Sequence, residues 1–384
     1  MSQRIFILGS TGSIGCSAVE TILHLRAKDG EGSWPVVGLA AGKNHALLHE
    51  QAVTLGVNSV SHCSNTSLGI ANEYNSAVQL IQEQAQPGDL VVAAIVGFAG
   101  IAPVLAAIEC GCSIALANKE SLVSGGQVVL DAVAKAGVTL VPVDSEHSAI
   151  FQVLAGNSAK EIKKIVLTAS GGSLRGFTKD EVAIATVSQV LNHPTWNMGA
   201  KVTVDSASLM NKALELIEAH WLFGVDASKL EAIIHPQSIV HGMVEYCDGS
   251  VMAQLSPPDM RLPIQFALTW PERVSGCGNV LNWSALSSLE FEPIDSSIFP
   301  AIAIAYDVIN RGGTSGAILN AANEIVVEAF LEQGLPFGSM IGIVSETLDK
   351  IEIVDDAVMD AVIEADTEAR SLTRQIIASR KVHS

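Results

Sequence analysis

The chain has 384 residues, of which 48% are hydrophobic and 16% charged, and a formal net charge of −18. Such a length and composition give two or three domains with ample core and exclude a largely disordered chain. The acidic balance argues against general binding of nucleic acid or of anionic membrane, so a phosphorylated substrate would need a local basic pocket.

In chain order, Arg4–Leu8 reads as an apolar strand that starts almost at once and leaves no room for a leader segment. Gly9-Ser10-Thr11-Gly12-Ser13-Ile14-Gly15 follows as a G-x-x-G-x-x-G turn opening a helix. Glycines there let backbone N–H groups approach a pyrophosphate at a helix N-terminus. A tight turn that needs glycine only for its geometry is the plainer account. The next strand, Val36–Ala40, runs into Ala41-Gly42-Lys43-Asn44. An NAD-specific fold places an acid near this point for the ribose 2′-hydroxyl. A lysine suits a 2′-phosphate instead and favours NADP, although solvated loop lysines are common.

Leu90–Ile108 carries no charge and is long enough to span a bilayer. Gly97, Gly100 and Pro103 interrupt it, and a buried strand (Leu90–Ile95) followed by a buried helix (Ile101–Glu109) accounts for it better. Strand Ser113–Ala117 ends in Asn118-Lys119-Glu120, with a helix opening at Ser121. Strand Thr139–Val143 ends in Asp144-Ser145-Glu146-His147. Open α/β sheets bind ligands at such strand ends. If 144–146 is extended, the carboxylates of Asp144 and Glu146 point one way and Ser145 the other.

A second region opens with strand Lys164–Ala169, which ends in Ser170-Gly171-Gly172-Ser173, a turn with a hydroxyl and amides to offer an anion. Residues 192–199, Asn-His-Pro-Thr-Trp-Asn-Met-Gly, read as a flap with Trp196 at its tip. One helix is expected from Val204 through Glu215. On it Asn211 and Glu215 are four apart and Lys212 and Glu215 three apart, so the three share a face. His193, Ser206, Asn211 and Lys212 would hold an anion there; an amphipathic helix with a surface Glu–Lys pair is the simpler account. Asp144, Glu146 and Glu215 together make three carboxylates and no thiol, a set suited to Mg²⁺ or Mn²⁺.

Strands Ala232–Ile234, Ile239–Tyr246 and Ser250–Leu255, with a hairpin turn at Asp248-Gly249, predict a small sheet. His235 and His241 read as structural. Helix Met260–Thr269 stops at Trp270-Pro271, and residues 272–300 read as a linker. Helices Ala301–Asn310, Gly316–Gln333, Gly338–Lys350 and Asp356–Ser379 follow, in which Asn320, Asn323 and Glu324 are expected only to pack. Six cysteines (Cys16, Cys63, Cys110, Cys112, Cys247 and Cys277) form no C-x-x-C pair. They are expected to be reduced, mostly buried thiols of a cytoplasmic protein. The fold class is α/β. Residues 1–143 form a Rossmann-like NADPH-binding domain, 144–271 a central α+β catalytic domain, 272–300 the linker, and 301–384 a C-terminal helical bundle.

These residues imply metal-assisted rearrangement or reduction of a small phosphorylated carbonyl compound, with hydride from NADPH. A short-chain dehydrogenase would need Tyr-x-x-x-Lys, and none of Tyr74, Tyr246 and Tyr306 is followed that way. A non-catalytic NADPH sensor would leave the three carboxylates unexplained.

The motifs GSTGSIG (9–15), AGKN (41–44), LANKESLV (116–123), PVDSEHSA (142–149), TASGGS (168–173), NHPTWNMG (192–199), MNKALELIEA (210–219), HPQSIVHGMV (235–244), PPDMR (257–261) and LNAANE (319–324) resemble the 1-deoxy-D-xylulose 5-phosphate reductoisomerase family. The resemblance implies retro-aldol cleavage and re-aldolisation of a phosphorylated ketose to a branched aldehyde, which NADPH reduces to 2-C-methyl-D-erythritol 4-phosphate. It implies Asp144, Glu146 and Glu215 as ligands of Mg²⁺ or Mn²⁺, with Co²⁺ as a further option. Ser145, Glu146 and Lys119 would face the reacting end of the substrate, and Ser170, His193, Ser206, Asn211 and Lys212 its phosphate. Thr11, Gly12, Ser13, Ile14, Gly42, Lys43, Asn44, Asn118, Glu120 and Gly199 would line the NADPH site. Trp196 would close over the substrate, with Met198 near the nicotinamide. A homodimer with no nucleic-acid or membrane partner is also implied.

Overall fold

The computed structural model describes residues 3–62, 69–157, 159–332 and 334–382. They fall into two compact units: Met1–Ser121, Val129–Phe151 and Asp259–Val280 form the first, and Leu122–Val128, Gln152–Pro258 and Leu281–Ser384 the second. The stretches expected as separate domains are therefore interleaved, since 259–280 returns to the first unit and 301–384 shares the second with residues 152–258.

The first unit alternates strand and helix: β1 (Ile5–Leu8), α1 (Ser13–Asp29), β2 (Val36–Ala41), α2 (His45–Leu55), β3 (Ser59–His62), α3 (Gly69–Gln84), β4 (Leu90–Ala93), α4 (Ile101–Glu109), β5 (Ser113–Leu116), α5 (Glu120–Ala136) and β6 (Leu140–Pro142). The strands form one six-stranded sheet in the order β3-β2-β1-β4-β5-β6. Every pairing in it is parallel. Runs such as Ile5-Phe6-Ile7-Leu8, each at most 1% exposed, are the residues such a sheet needs, because helices cover both of its faces. Each such side chain contributes about 1.5–3 kcal/mol on burial. Ile22 and Leu25 of α1 join Ile5, Ile7, Leu39 and Val92 in one core, with Ile264 and Leu268 from the later helix α11 (Arg261–Thr269).

Strand order reverses between β1 and β4, and ligands bind at the carboxyl ends of strands at such a point. The glycine turn after β1 sits there. Gly9 has φ 84°, and a Cβ on it would lie 2.4 Å from the Ala94 carbonyl oxygen; a Cβ on Gly15 would lie 2.2 Å from that of Gly9. Sterics therefore demand glycine at two of the three motif positions. Gly12, the N-cap of α1, supplies no side-chain cap, so the first-turn amides of a 17-residue helix face the turn without one. The expected transmembrane false alarm resolves into β4 and α4, and no helix among the described residues is long and apolar enough to cross a membrane. α2, β3 and α3 were not anticipated. β3, Ser-Val-Ser-His, is a polar edge strand without the apolar run that marks its neighbours.

The second unit carries β7 (Ile162–Ala169), α7 (Lys179–Ala183), α8 (Val187–Leu191), α9 (Ala200–Ala207), α10 (Met210–Phe223), β8 (Leu230–Ile234), β9 (Val240–Tyr246) and β10 (Val251–Leu255). α6 (Ser145–Leu154) leads into it, and α12 (Ala301–Arg311), α13 (Ser315–Leu331), α14 (Met340–Lys350) and α15 (Met359–Val382) complete it. Its sheet runs β10-β9-β7-β8, with β7 and β8 parallel and the other pairs antiparallel. α12 packs on α10, and α14 and α15 on α13. The 17-residue helix α13 is buried on nearly every side, which its run of Ala, Ile, Leu and Val predicts.

Several expectations need correction. Residues 144–146 are not extended: β6 ends at Pro142 and α6 begins at Ser145, so Glu146 lies in a first helical turn, where an acid is favoured. The single helix expected from Val204 to Glu215 is two helices, broken at Leu209, which adopts φ 56° and ψ 13°. α7 and α8 precede the flap, each opened by a threonine capping box. The 272–300 stretch, expected as a linker, is divided between the two units, 272–280 in the first and 281–300 in the second. Ile234 and Glu292 form a bridge, the ring Nδ1 of His235 bonds the Glu290 carbonyl at 2.7 Å, and Gln237 donates to the Ser288 carbonyl at 3.3 Å. That docking covers the end of the edge strand β8. Of the described cysteines only Cys112 is buried, and burial pushes its thiol up to about 12; Cys247 is exposed and Cys16, Cys110 and Cys277 are intermediate. Cys63 and Gln333 lie outside the described residues.

Candidate active site

Each unit brings its own share of the expected residues together. In the first, the nucleotide-motif residues Thr11, Gly12, Ser13 and Ile14 lie at the turn between β1 and α1, and Gly42, Lys43 and Asn44 follow the adjacent β2. The Asn44 side chain caps α2 by accepting from Leu47 N at 3.2 Å. Asn118 is 2% exposed, and its carboxamide is heavily used. Nδ2 donates to the carbonyls of Ile95 (2.6 Å) and Gly97 (2.9 Å) and to Glu120 Oε2 (3.0 Å), while Oδ1 accepts from Ser121 N at 2.9 Å. The Asn118 side chain therefore braces the loop after β4, which the strand-end position alone did not reveal.

Lys119 and Asp144 meet in the same unit, Nζ to Oδ2 at 2.7 Å, because they follow the neighbouring strands β5 and β6. Both side chains are more than four-fifths buried, where a charge needs its partner. Ser145 Oγ donates to Glu146 Oε2, so these two side chains meet instead of diverging. Two carboxylates and a hydroxyl, all hard oxygen donors, stand here at the head of one helix; they fit a magnesium-type ion and not a soft metal.

In the second unit Ser170 and His193, two of the residues expected to hold an anion, are hydrogen-bonded with the flap. His193 Nδ1 accepts from Thr195 N (3.1 Å) and Trp196 N (2.9 Å), which winds the flap around the imidazole. With Nδ1 accepting twice, the ring proton sits on Nε2 and is donated to Ser170 Oγ at 3.0 Å. Ser170 Oγ also accepts from Gly172 N at 3.2 Å. Both acceptor lone pairs are thus used, and the serine's own proton is left to donate outward. Gly172 (φ 70°) lies against α9: a Cβ there would come within 2.5 Å of the Ser206 carbonyl oxygen. Ser170, His193 and Ser206 are thereby gathered at the end of β7. Gly199 is the N-cap of α9, and Thr203 Oγ1 donates to its carbonyl at 3.0 Å. Met198 is partly buried beside it.

Beyond the Leu209 break, Asn211 and Lys212 occupy the first turn of α10, where an anion is favoured. Both side chains donate to Glu215. Lys212 is 3% and Glu215 1% exposed, so the surface Glu–Lys pair is ruled out. A buried pair of this kind is retained only where geometry is good, and loss of one member costs about 3–5 kcal/mol. His241, read from the sequence as structural, bonds the Ser256 carbonyl through Nε2 at 3.2 Å. It also packs edge-on to Trp196 with centroids 6.3 Å apart, and lies close enough to Lys212 to feel its charge. Burial pushes the His241 imidazole down to about 4, which favours the neutral ring next to Lys212. No spacing in the sequence marks that role.

Asn323 was expected only to pack. Its Nδ2 donates to Asp205 Oδ1 at 2.9 Å, while Lys201 pairs with Asp205 Oδ2 at 2.9 Å. These bonds fix the residue next to Ser206. On the same helix Asn320 donates to Glu324, which pairs with Arg370 at 2.6 Å.

Burial lowers the pKa of His193 below its ordinary 6.5. Folding thus favours the neutral ring, and the stability this gives is present above pH 6.5 and lost as pH falls through the lowered value. Trp196 fluorescence, isolated by subtraction of Trp196→Phe, is expected to be flat above pH 6.5 and to change only below it. A midpoint at or above 6.5 would contradict the neutral, doubly accepting imidazole.

Comparison with known proteins shows the family. The family model of 1-deoxy-D-xylulose 5-phosphate reductoisomerase matches residues 5–126, and two models of that enzyme's C-terminal domain match 140–223 and 255–372. The reductoisomerase of Symbiobacterium thermophilum is 46% identical over 389 residues, covering 98% of this chain and 99% of that one. That of Pelotomaculum thermopropionicum is 43% identical, with 98% of each chain covered. A solved DOX-P reductoisomerase in complex with NADPH, fosmidomycin and magnesium superposes with a TM-score of 0.90 at 34% identity, covering 99% of both chains. The Zymomonas mobilis enzyme in complex with NADPH gives 0.87 at 36% identity over 98% of each.

Proposed function

The chain belongs to the 1-deoxy-D-xylulose 5-phosphate reductoisomerase family, and from that premise we propose how its own residues carry out the NADPH- and divalent-metal-dependent conversion of 1-deoxy-D-xylulose 5-phosphate to 2-C-methyl-D-erythritol 4-phosphate in isoprenoid synthesis. NADPH supplies the hydride, and the divalent ion supplies Lewis acidity toward the substrate's carbonyl and hydroxyl oxygens.

Thr11, Gly12, Ser13 and Ile14 hold the pyrophosphate of NADPH on the uncapped start of α1, and Gly42, Lys43 and Asn44 take its adenosine end. Asn118, Glu120 and Gly199 complete that site. Asp144, Glu146 and Glu215 hold the metal, Mg²⁺ or equally Mn²⁺, which accepts the same oxygen set. Lys119 pairs with Asp144 and Lys212 with Glu215, so each buried carboxylate has a counter-charge. Lys119, Ser145 and Glu146 face the reacting end of the ketose. Ser170, His193, Ser206, Asn211 and Lys212 bind its phosphate, and Trp196 closes over it with Met198 toward the nicotinamide. Phosphate binding is remote from the reacting carbons, so its energy is available to close the flap and exclude water from a reactive aldehyde.

The observation that supports this most is the continuity of Ser170, His193 and Trp196. The serine offered to the phosphate is bonded to the histidine that winds the flap. In functional terms residues 1–143 serve NADPH, 144–271 serve metal and substrate, 272–300 connect, and 301–384 support α9 and α10. A cytoplasmic homodimer completes the proposal, on the strength of the family resemblance. The test is NADPH oxidation by the purified chain with 1-deoxy-D-xylulose 5-phosphate. Turnover is expected only with Mg²⁺ or Mn²⁺, to be abolished by chelation, and to yield the branched polyol phosphate. Metal-independent turnover would remove the three-carboxylate assignment.

A further inference from the structure

Three of the chain's 10 histidines, His45, His49 and His62, fall between positions 45 and 62. Two of them meet where no motif placed a function. β2 ends at Ala41, the loop Gly42-Lys43-Asn44 follows, and His45 is the first residue of α2. β3 pairs in parallel with β2 in a register that sets His62, its last residue, opposite Ala41. The two imidazoles are thereby brought together, with centroids 4.5 Å apart and planes at 80°. Both residues are exposed.

This is the end of the sheet that receives the adenosine ribose in dinucleotide-binding folds, where NAD-specific proteins present an acid. Here residues 41–49 contain no acid, and β3 is the edge strand beyond β2. The Asn44 carboxamide oxygen caps α2, and among the described residues Lys43, His45 and His62 bring further polar side chains to this corner. A Cβ on Gly42 would meet nothing within 4 Å, so the loop backbone is open to approach. An imidazole carries at least one N–H donor in either protonation state, and the near-perpendicular rings aim theirs in different directions. A phosphate monoester has three oxygens to receive them.

We propose that His45 and His62, edge to face at the carboxyl ends of β2 and β3, form with Lys43 the cradle for the 2′-phosphate of NADPH and set the preference of this chain for NADPH over NADH. The proposal rests on the assignment of the β1–α1 turn and residues 42–44 to the nucleotide. Its test uses the full chain and two probes, 2′,5′-ADP and 5′-AMP, which differ only in the 2′-phosphate, alongside NADPH and NADH. His45→Ala and His62→Ala are each expected to weaken NADPH and 2′,5′-ADP about tenfold, the loss of one charge-assisted hydrogen bond. NADH and 5′-AMP should move less than about twofold. His49→Ala, one turn along α2, should leave all four unchanged, and His45→Arg should restore 2′,5′-ADP binding. Equal weakening of NADPH and NADH would mean that the pair only shapes the loop and would overturn the proposal, as would unchanged NADPH binding in the double variant. A wild-type chain that binds neither NADPH nor 2′,5′-ADP would overturn the nucleotide assignment itself.

Discussion

Glu215→Gln is expected to lower kcat by at least about 100-fold while leaving the Kd for NADPH within about twofold. Glutamine keeps the volume and one of the two oxygens that Asn211 and Lys212 address separately on Glu215, but it turns the other into an NH2 donor and removes the charge a divalent ion requires. Lewis-acid stabilisation is worth several kcal/mol, and each 1.36 kcal/mol is a factor of ten in rate. NADPH binding should survive because the nucleotide residues at the β1–α1 turn and after β2 belong to the other unit. Lys212 loses its counter-charge in this variant, so a thermal melt should accompany the kinetics: a few degrees of lost Tm with the activity loss intact separates chemistry from unfolding. Full restoration of turnover by a metal titration would mean that Glu215 is not a ligand.

Lys212→Ala is expected to raise the KM for 1-deoxy-D-xylulose 5-phosphate by about 10- to 100-fold, since a buried phosphate loses one charge-assisted partner worth roughly 1.5–3 kcal/mol. The KM for NADPH should stay put. Lys212 also neutralises Glu215 at a site where both are almost fully buried, so some fall in kcat will accompany the KM effect. The discriminating measurement is inhibition by inorganic phosphate against the wild type. Weaker phosphate inhibition places the ammonium on the substrate's phosphate. An unchanged KM with unchanged phosphate inhibition removes Lys212 from that pocket.

How much of this was legible beforehand varies residue by residue. The β1–α1 turn was, because an apolar run followed by glycines at fixed spacing is a local pattern, and Gly9 and Gly15 are required by contacts within a few residues or with the adjacent strand. α4 was read to its ends, Ile101–Glu109, since a glycine and a glutamate bound an apolar stretch. The pairing of Lys119 with Asp144 was not legible; it depends on β5 and β6 being neighbours, which sequence order suggests but side-chain spacing cannot show. His241 was read as structural, but its packing against Trp196 was not legible, for the same reason. Its relation to Trp196 and Lys212 runs across three separate elements.

The clearest contrast lies at Leu209. By itself the sequence determined much of the alternation of strands and helices, the glycine turn after β1 and the acids that follow β6, because each is written in a period or spacing shorter than one element. Whether Val204 to Glu215 is one helix was decided only by tertiary structure. Leu209 is 2% exposed and packs in a cluster with Ala169 at the end of β7 and Phe299 far along the chain. A left-handed leucine costs about 1–2 kcal/mol, and burial of its side chain offsets that with about 1.5–3 kcal/mol. The break leaves Ser206 in the last turn of one helix and Asn211 and Lys212 in the first turn of the next. No local propensity of Ser-Ala-Ser-Leu-Met-Asn encodes that outcome; it exists because distant residues meet.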